Sequence, residues 1–336
     1  MIRPLPPEVA AVLDHGSLCY LAVATRSGPH VTPVVYATFG SRLWVTTARR
    51  TVKAGVWRVR PRAAGLVRAG DHAVSFTGSV RMHDALNPAT WPASAVSLPA
   101  VALAAAEFTR RNARFFAGYA VDARRVPLSW TPPGRVFAEI SVEAAALLED
   151  WGEEPRKWGS LGETVHSHGS FRPGRAAQSV FEVVPDEVGR RIERGGQAAL
   201  AVDGADGPVV LPVSFLEDHR VLYAAVDARS LALAEAGPDA AVGLAVDHAS
   251  RWRARAMTGV MVRGTGSIHV LSRLRSGRAS AERLVERAGV LPEGMALIRV
   301  RPRRIVWWSG WASGTVILDP RGRVSGGAGG KPIWGT

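Results

Sequence analysis

Hydroxyl-bearing and basic side chains gather in one segment of the chain, residues 43–61, LWVTTARRTVKAGVWRVRP. An alternating apolar run predicts a strand at its start, and the part after it is predicted to be helical. The polar residues of interest at this connection are Thr46, Thr47, Arg50, Thr51 and Lys53. Because a helix start offers free backbone N–H groups, added hydroxyls and positive charge suit a phosphate group. The competing interpretation is a basic, solvated surface turn.

Length and composition predict two domains. With 336 residues, of which 47% are hydrophobic, the chain is too long for one ordinary core. Its one cysteine, Cys19, excludes an intrachain disulfide and a cysteine-cluster metal site. Because Cys19 lies in an apolar run, we expect it to be a small core residue.

No stretch of the sequence is predicted to enter a membrane. The longest nearly apolar stretch, 96–108, contains Ser97 and Pro99 and is too short to span a bilayer. The N-terminal MIRPLPPEV lacks the apolar core of a signal peptide. We therefore expect a cytoplasmic protein without a membrane partner.

The formal net charge is +13. The basic residues are spread along the chain, and no helix-turn-helix, zinc finger or stacked aromatic platform accompanies them. The abundance of Arg, Ala, Gly and Val is typical of a high-GC coding sequence, which accounts for part of the charge. We expect no nucleic-acid partner, and an anionic small ligand explains the charge more economically.

The first 150 residues predict mainly β structure. A helix over 7–15 stops at Gly16, and a second helix is predicted over 51–60. Residues 87–119 are predicted to be a helical insertion, and Gly78 permits a bulge or a close backbone approach in its strand. Strands are predicted over 18–25, 30–39, 43–47, 63–69, 74–82 and 136–148.

A second copy of this pattern follows, and the repeat is the strongest signal in the chain. Both copies contain a Gly-Pro pair with another Pro four residues after the first. The matched segments are 28–36 with 207–215, 43–45 with 221–223, 63–66 with 241–244, 77–80 with 265–268, and 136–151 with 296–311. We expect domains at 1–150 and 178–318, a linker at 151–177 and a flexible tail at 319–336.

The predicted linker carries His166 and His168, a spacing that could ligate a metal. No further His, Asp or Glu cluster lies nearby in the sequence. We therefore expect a solvated loop and no metal site.

The two copies differ at the polar segment. Where the first copy has Thr46, Thr47, Thr51 and Lys53, the second has Ala224, Ala225, Arg229 and Leu231 at the matched places. A turn that served only the fold would be needed about equally in both copies. The difference favours the phosphate interpretation and predicts one ligand site per chain, on the Lys53 side.

These motifs, in this order and twice over, resemble the pyridoxamine 5′-phosphate oxidase-like flavin-binding split barrels. The similar features are the Gly-Pro strand pair, a Thr-Thr strand end followed by Lys53, a Thr-Gly-Ser strand and the closing segment 302–310, PRRIVWWSG. The resemblance implies a mainly β fold of two tandem split β-barrels that form an intrachain pseudo-dimer. It also implies an FMN-dependent oxidoreductase that acts on a small organic substrate by hydride or electron transfer.

The resemblance also implies which residues bind the cofactor. One strand is expected along the isoalloxazine ring, the Thr-Thr strand end against the ring and ribityl chain, and the basic turn at the phosphate. The second barrel is expected to supply an aromatic wall, Trp308, with Trp307 and Trp311 beside it. The implied cofactor-binding residues are Thr32, Pro33, Val34, Val35, Thr46, Thr47, Arg50, Thr51, Lys53 and Trp308.

The cofactor and substrate stay open at this point. True pyridoxamine phosphate oxidases carry an Arg-Leu-His-Asp-Arg type segment near the C-terminus, whereas residues 311–316 here read WASGTV, so the vitamin substrate is not expected. The composition resembles actinobacterial proteins, in which many split barrels use the 8-hydroxy-5-deazaflavin coenzyme (F-420). A deazaflavin-dependent reductase is therefore the alternative, and a basic groove suits either coenzyme.

The sequence identifies no catalytic residue. In flavin enzymes the cofactor performs the transfer, and no Ser/His/Asp arrangement stands out. His30 and His72 are candidate proton donors, although each is more often a surface or hydrogen-bonded histidine. The non-enzymatic alternatives are a flavin carrier or sensor and a haem-binding split barrel with His15, His30 or His248 as axial ligand. A monomer or a homodimer is compatible with the pattern.

Overall fold

The computed structural model describes residues 4–84, 86–87, 91, 98–114, 116–117, 134–149, 153–192, 194–248 and 256–332. They form two consecutive units of antiparallel β structure with short helices, which confirms the predicted mainly β tandem fold. Within these ranges, no helix is long and apolar enough to cross a membrane.

The first unit begins with helix α1 (Pro7–His15), whose buried face carries Val9, Val12 and Leu13 at helical spacing. Helix α2 (Val52–Trp57) is shorter than the predicted 51–60. Helix α3 (Leu98–Arg111) confirms part of the predicted insertion 87–119, of which residues 88–90, 92–97, 115 and 118–119 lie outside the described residues. The strands are β1 (Cys19–Thr25), β2 (Gly28–Val34), β3 (Tyr36–Phe39), β4 (Arg42–Ala48), β5 (Arg62–Ala69), β6 (His72–His83), β7 (Arg135–Leu148) and β8 (Arg156–Trp158).

The second unit repeats this order of elements. Its helices are α4 (Asp186–Arg191), α5 (Ala228–Ala232) and α6 (Arg278–Arg287). Its strands are β9 (Gly195–Gly204), β10 (Gly207–Asp218), β11 (Val221–Asp227), β12 (Asp239–His248), β13 (Thr258–Val270), β14 (Met295–Ser309), β15 (Ala312–Leu318) and β16 (Val324–Pro332). Because β11 pairs with both β10 and β14, strands β9 to β14 close into a six-stranded ring.

The first unit has the same strand neighbours but a break at Val35. Val34 pairs with Cys19 on β1, whereas Tyr36 pairs with Val45 on β4. The single strand predicted over 30–39 is therefore two strands, where the second unit has the continuous β10. Pro33 and Pro212 occupy matching places in the two units, so proline alone does not account for the break.

A bulge interrupts the long pairing of each unit at a glycine, and for Gly78 this is the first of the two expected alternatives. The register of β6 against β7 shifts between Thr77 and Gly78, and that of β13 against β14 shifts between Arg263 and Gly264. A Cβ at Gly264 would overlap the carbonyl of Arg301, so a side chain does not fit there.

The strand registers correct three of the sequence matches. Leu21 pairs with Gly65 and its counterpart Leu200 pairs with Leu244, so Gly65 corresponds to Leu244 and not to Gly243. The bulges make Gly78 the counterpart of Gly264 and not of Gly266.

The third correction concerns the polar segment. Leu43 pairs with Ile140, and Leu222 pairs with Val300 at the matching place of the second unit. The counterparts of Thr46 and Thr47 are therefore Ala225 and Val226, one residue later than the sequence match placed them. The asymmetry remains, because both hydroxyls are still lost.

The segments predicted as linker and tail are more ordered than expected. Within 151–177, β8 pairs with β7, and Val165 and Phe171 are buried. Within 319–336, β16 pairs with β15, which corrects the flexible tail up to Pro332. The apolar side chains at 165 and 171 explain the first difference, because burying them offsets the entropy of ordering the segment.

The two units share a continuous apolar core. Ala22, Val31, Leu66 and Leu148 of the first unit belong to the same buried cluster as the barrel interior of the second. Strand β2 runs close to β12, where a Cβ at Gly243 would lie 2.8 Å from the carbonyl oxygen of Pro29. This close backbone approach makes the units one packed body, as the predicted pseudo-dimer requires.

Arg263 joins the units by hydrogen bonds. Its side chain is only 4% exposed, and its Nη2 donates to the hydroxyls of Thr25 and Ser27 and to the carbonyl of Gly28. The whole β1–β2 turn of the first unit is therefore held by one cation of the second.

Candidate functional site

The connection between β4 and α2 is built around the Thr51 hydroxyl. Thr51 is the N-cap of α2, and its Oγ1 accepts from the Ala54 N–H at 3.3 Å. The same hydroxyl donates to the carbonyl of Ala48 at 2.9 Å and lies 3.0 Å from Oγ1 of Thr47. Its first role is therefore to cap the helix and tie it to the strand end.

Lys53 is buried, which the interpretation as a solvated turn does not allow. Its side chain is 5% exposed, and its Nζ donates a hydrogen bond to Oγ1 of Thr32 on β2. Burial lowers the pKa of Lys53 to about 8, because the charged ammonium has lost its water. A buried ammonium needs a compensating partner, and an anion at this point would supply it.

Further positive charge surrounds the same strand. Burial, with the positive charges of Lys53, Arg263 and Arg304, holds the pKa of His30 well below its usual range. Nδ1 of His30 is buried and has no hydrogen-bond partner among the described residues. The neighbourhood of β2 thus contains a neutral histidine among three cations, and it is poorly suited to any further positive group.

The hydroxyl at Thr46 has a partner that the sequence analysis missed. Nε of Arg135 donates to Oγ1 of Thr46 at 2.7 Å, and its Nη2 donates to the Thr46 carbonyl at 2.9 Å. Arg135 opens β7, beside β4, and only the strand pairing reveals this proximity. Arg50 is exposed in the turn before α2, whereas the neighbouring Arg49 forms an ion pair with Asp84.

Trp308 lies on β14 and is connected to β2 through contacts with two residues, Asp247 and Tyr20. Its indole covers Gly259, where a Cβ would overlap Cζ2 of the ring and lie 2.9 Å from Cβ of Asp247. Tyr20 donates a hydrogen bond to Asp247, and burial, followed by the negative charge of Asp247 and this hydrogen bond, raises the pKa of that phenol. Tyr20 in turn pairs with Pro33 on β2. No hydrogen bond or ring contact joins Trp308 to Lys53 directly in the described part of the chain.

A cavity of about 330 Å³ lies at the corresponding place of the second unit, where β10 and α5 face the first unit. We call it the Asp227 cavity. By strand register, its lining residues Pro212, Arg68 and Leu148 are the counterparts of Pro33, Asp247 and Trp308. The pseudo-twofold relation therefore puts Pro33, Asp247 and Trp308 at the equivalent place on the Lys53 side.

The two clefts differ in charge at the helix start. In the Asp227 cavity the helix cap is the buried carboxylate of Asp227, which accepts from the N–H groups of Arg229 and Ser230. Leu211 stands where the Lys53 side has Thr32. A carboxylate at the cap repels a phosphate, so this second cleft is a poor phosphate site.

The other histidines that the sequence analysis named as candidates lie away from Lys53. His168 has Nε2 3.1 Å from Oδ2 of Asp239, and the pKa of that carboxyl is lowered, first by a hydrogen bond from Ser267 and then by His168. His15 has Nδ1 2.7 Å from the Ala11 carbonyl, and His72 and His248 are exposed. Among the described residues, no group of three or more His, Cys, Asp or Glu side chains is arranged to hold a metal ion.

No family model and no curated protein matches the sequence. Several solved structures are similar in fold. A pyridoxamine 5′-phosphate oxidase-related, FMN-binding protein from Nostoc punctiforme is 18% identical over 46% of this chain and 90% of its own, with a TM-score of 0.34. An F420 reductase is 19% identical over 42% of this chain and 98% of its own, with a TM-score of 0.28. A haem-binding protein from Mycobacterium smegmatis is 15% identical over 47% of this chain and 60% of its own, with a TM-score of 0.32.

Proposed function

We propose that this protein is a flavin-dependent oxidoreductase that binds FMN in the cleft between the two units, on the Lys53 side. The observation that carries the proposal is the buried ammonium of Lys53, which is hydrogen-bonded to Thr32 and lacks a carboxylate partner in the described part of the chain. A phosphate dianion would supply the missing charge and accept charge-assisted hydrogen bonds.

The residues around Lys53 have distinct roles in this proposal. Lys53 and Thr32 would hold the phosphate, and Thr51 would keep α2 in place beside it. The β2 residues Thr32, Pro33, Val34 and Val35 would lie along the flavin ring, and Trp308 would form its opposite wall. When bound, the flavin supplies hydride or electron transfer to a small organic substrate, and the protein supplies orientation and exclusion of water.

A deazaflavin-dependent reductase is the second candidate. Arg135 at Thr46 and the two arginines near His30 extend the positive charge beyond the Lys53 ammonium. Such an extended field favours a coenzyme with a longer anionic tail than one phosphate. His30 is held neutral, so it can orient a polar group in either case but is a poor proton donor at neutral pH.

Titration of the apo-protein with FMN, and separately with the deazaflavin coenzyme, tests the proposal. We expect a stoichiometry near one per chain, because the Asp227 cap opposes a phosphate in the second cleft. Lys53→Met should weaken binding about ten- to a hundredfold, since it removes a charge-assisted hydrogen bond worth about 1.5–3 kcal/mol.

Arg60→Met is the matched control, because Arg60 is an exposed cation close to the end of α2. It changes the net charge equally and should leave the affinity almost unchanged. If Lys53→Met keeps the wild-type affinity for both coenzymes, the phosphate is bound elsewhere and the proposal is wrong.

A further inference from the structure

The Asp227 cavity has the size and construction of a small-molecule site. Its volume of about 330 Å³ falls at the lower end of the range for such sites, about 300–1,000 Å³. Its walls include the apolar side chains of Ala73, Leu148 and Pro212. Two polar residues from the start of α5, Asp227 and Ser230, also line it, and both are buried.

The Ser230 hydroxyl is a polar group without a partner. Ser230 is 7% exposed, and its backbone N–H donates to Asp227, but its hydroxyl makes no hydrogen bond among the described residues. The hydroxyl oxygen is not among the fully enclosed polar atoms that lack a partner, so it keeps some exposure on the cavity wall. A ligand in the cavity would reach it and form a hydrogen bond with it.

The cavity is acidic although the protein as a whole carries a net charge of +13. Its lining contains the carboxylates of Asp71, Glu149, Glu153 and Asp227. Glu149 is balanced by Arg156 at 2.6 Å, whereas Asp71 and Glu153 form no ion pair within the described ranges.

The basic lining residues do not cancel this charge. Arg68 turns to the interface between the units, where its Nη2 donates to the Ala198 carbonyl and its charge lies near Asp247. His72 is exposed and lies 4.0 Å from Glu149, on the same side as Arg156. The unbalanced carboxylates of Asp71 and Glu153 thus leave one side of the cavity negative.

We propose that the Asp227 cavity binds a small aliphatic amine, with its ammonium against the Ser230 hydroxyl and the carboxylates and its methylene groups against Leu148 and Pro212. The apolar walls favour such an organic cation over a hydrated metal ion, because methylene groups gain free energy by leaving water and a hydrated ion does not. This site is separate from the cofactor cleft at Lys53, and it does not depend on which coenzyme binds there.

Calorimetric titration of the full chain with three four-carbon probes tests the proposal. We expect 1,4-diaminobutane to bind, 1,4-butanediol to bind at least about tenfold more weakly, and succinate not to bind. The amine affinity should fall as salt is raised, because part of it comes from exposed carboxylates.

Two sets of variants locate the site. Ser230→Ala should weaken binding of the diamine about tenfold, since it removes a hydrogen bond to a charged group. The double variant Asp71→Asn with Glu153→Gln should weaken it about two- to tenfold, and these exposed changes leave the fold intact. Asp206→Asn, an exposed carboxylate at the far end of the β9–β10 hairpin, is the control and should change nothing.

Three outcomes would overturn the proposal. The first is equal binding of the diol and the diamine, and the second is full binding of the diamine by both the Ser230 variant and the double variant. The third is displacement of the diamine by FMN at a second stoichiometric equivalent, which would make the cavity a second flavin site.

Discussion

At the scale of single residues, the burial of Lys53 changes the interpretation of its role. The sequence places it in a basic segment, where a lysine is usually solvated and contributes little to stability. In the fold it is 5% exposed, and its ammonium is held by one threonine hydroxyl. A buried ammonium without a carboxylate partner destabilises the folded protein, and ionisable groups with a strongly shifted pKa are common at functional sites.

The destabilisation caused by the buried Lys53 ammonium should appear in the pH dependence of the free energy of unfolding. The pKa of Lys53 is about 8 in the folded protein and 10.5 when solvated, so between these values the unfolded chain binds the extra proton. The free energy of unfolding of the apo-protein should therefore rise with pH from about 8 to 10.5, by up to about 3 kcal/mol. Urea denaturation of wild type and Lys53→Met across this range measures it.

The difference between wild type and variant is the quantity to examine, because other groups titrate in both. We expect Lys53→Met to be the more stable protein at pH 7 and the advantage to shrink above pH 8. A constant difference across the range would show that Lys53 keeps its ordinary pKa.

At the scale of elements, the two strand-to-helix connections cap their helices with different side chains. In both, the first N–H groups of a short helix need an acceptor. The first unit uses the Thr51 hydroxyl, and the second uses the Asp227 carboxylate. The neutral cap does not repel an anion on the Lys53 side, whereas the negatively charged cap of Asp227 repels an anion on the other side.

Asp227→Ala should destabilise the protein by about 0.5–2 kcal/mol, the usual cost of losing a helix cap. Thermal unfolding followed by circular dichroism measures the loss. Asp227→Asn is the matched variant, because asparagine caps helices about as well as aspartate without the charge. If both variants lose the same stability, the Asp227 carboxylate stabilises the protein through its charge and not through its hydrogen bonds as a cap.

At the scale of the whole molecule, the units are held together by a shared core and by a few buried polar contacts. Arg263 is the clearest of these, because three acceptors of the first unit converge on one of its nitrogens. The close approach of β2 and β12 leaves little space for rearrangement. The cofactor site that we propose on the Lys53 side takes residues from both units, so the packing of the units and the binding of the cofactor should depend on each other.

Arg263→Met should therefore lower stability by about 1–3 kcal/mol, since it leaves the buried carbonyl of Gly28 without its donor and removes the donor to the Thr25 and Ser27 hydroxyls. Hydrogen exchange should report faster opening of that turn, and FMN binding should weaken with it. Arg303→Met, an exposed arginine on β14, is the control and should leave both unchanged. Unaltered exchange in the turn of the Arg263 variant would mean that the apolar core alone holds the units together.

Local patterns in the sequence determined the secondary structure and its repetition. The repeated Gly-Pro hairpins and the alternating apolar strands predict two copies of one mainly β unit, because side-chain alternation and turn chemistry act over a few residues. The core position of Cys19 followed in the same way, and the structure confirms it as fully buried, with its thiol pKa raised to about 12 by burial. The arrangement of these strands as two split barrels was implied by the family resemblance.

Only the tertiary structure decided the properties that depend on contacts between distant segments. The burial of Lys53 is set by β2, the one-residue shift of the Thr46 match by the pairing of β4 with β7, and the partner of Thr46 by Arg135. The break at Val35 and the Asp227 cavity likewise arise from how whole strands and units meet. Desolvation and register are properties of the assembled fold, so no window of neighbouring residues carries them.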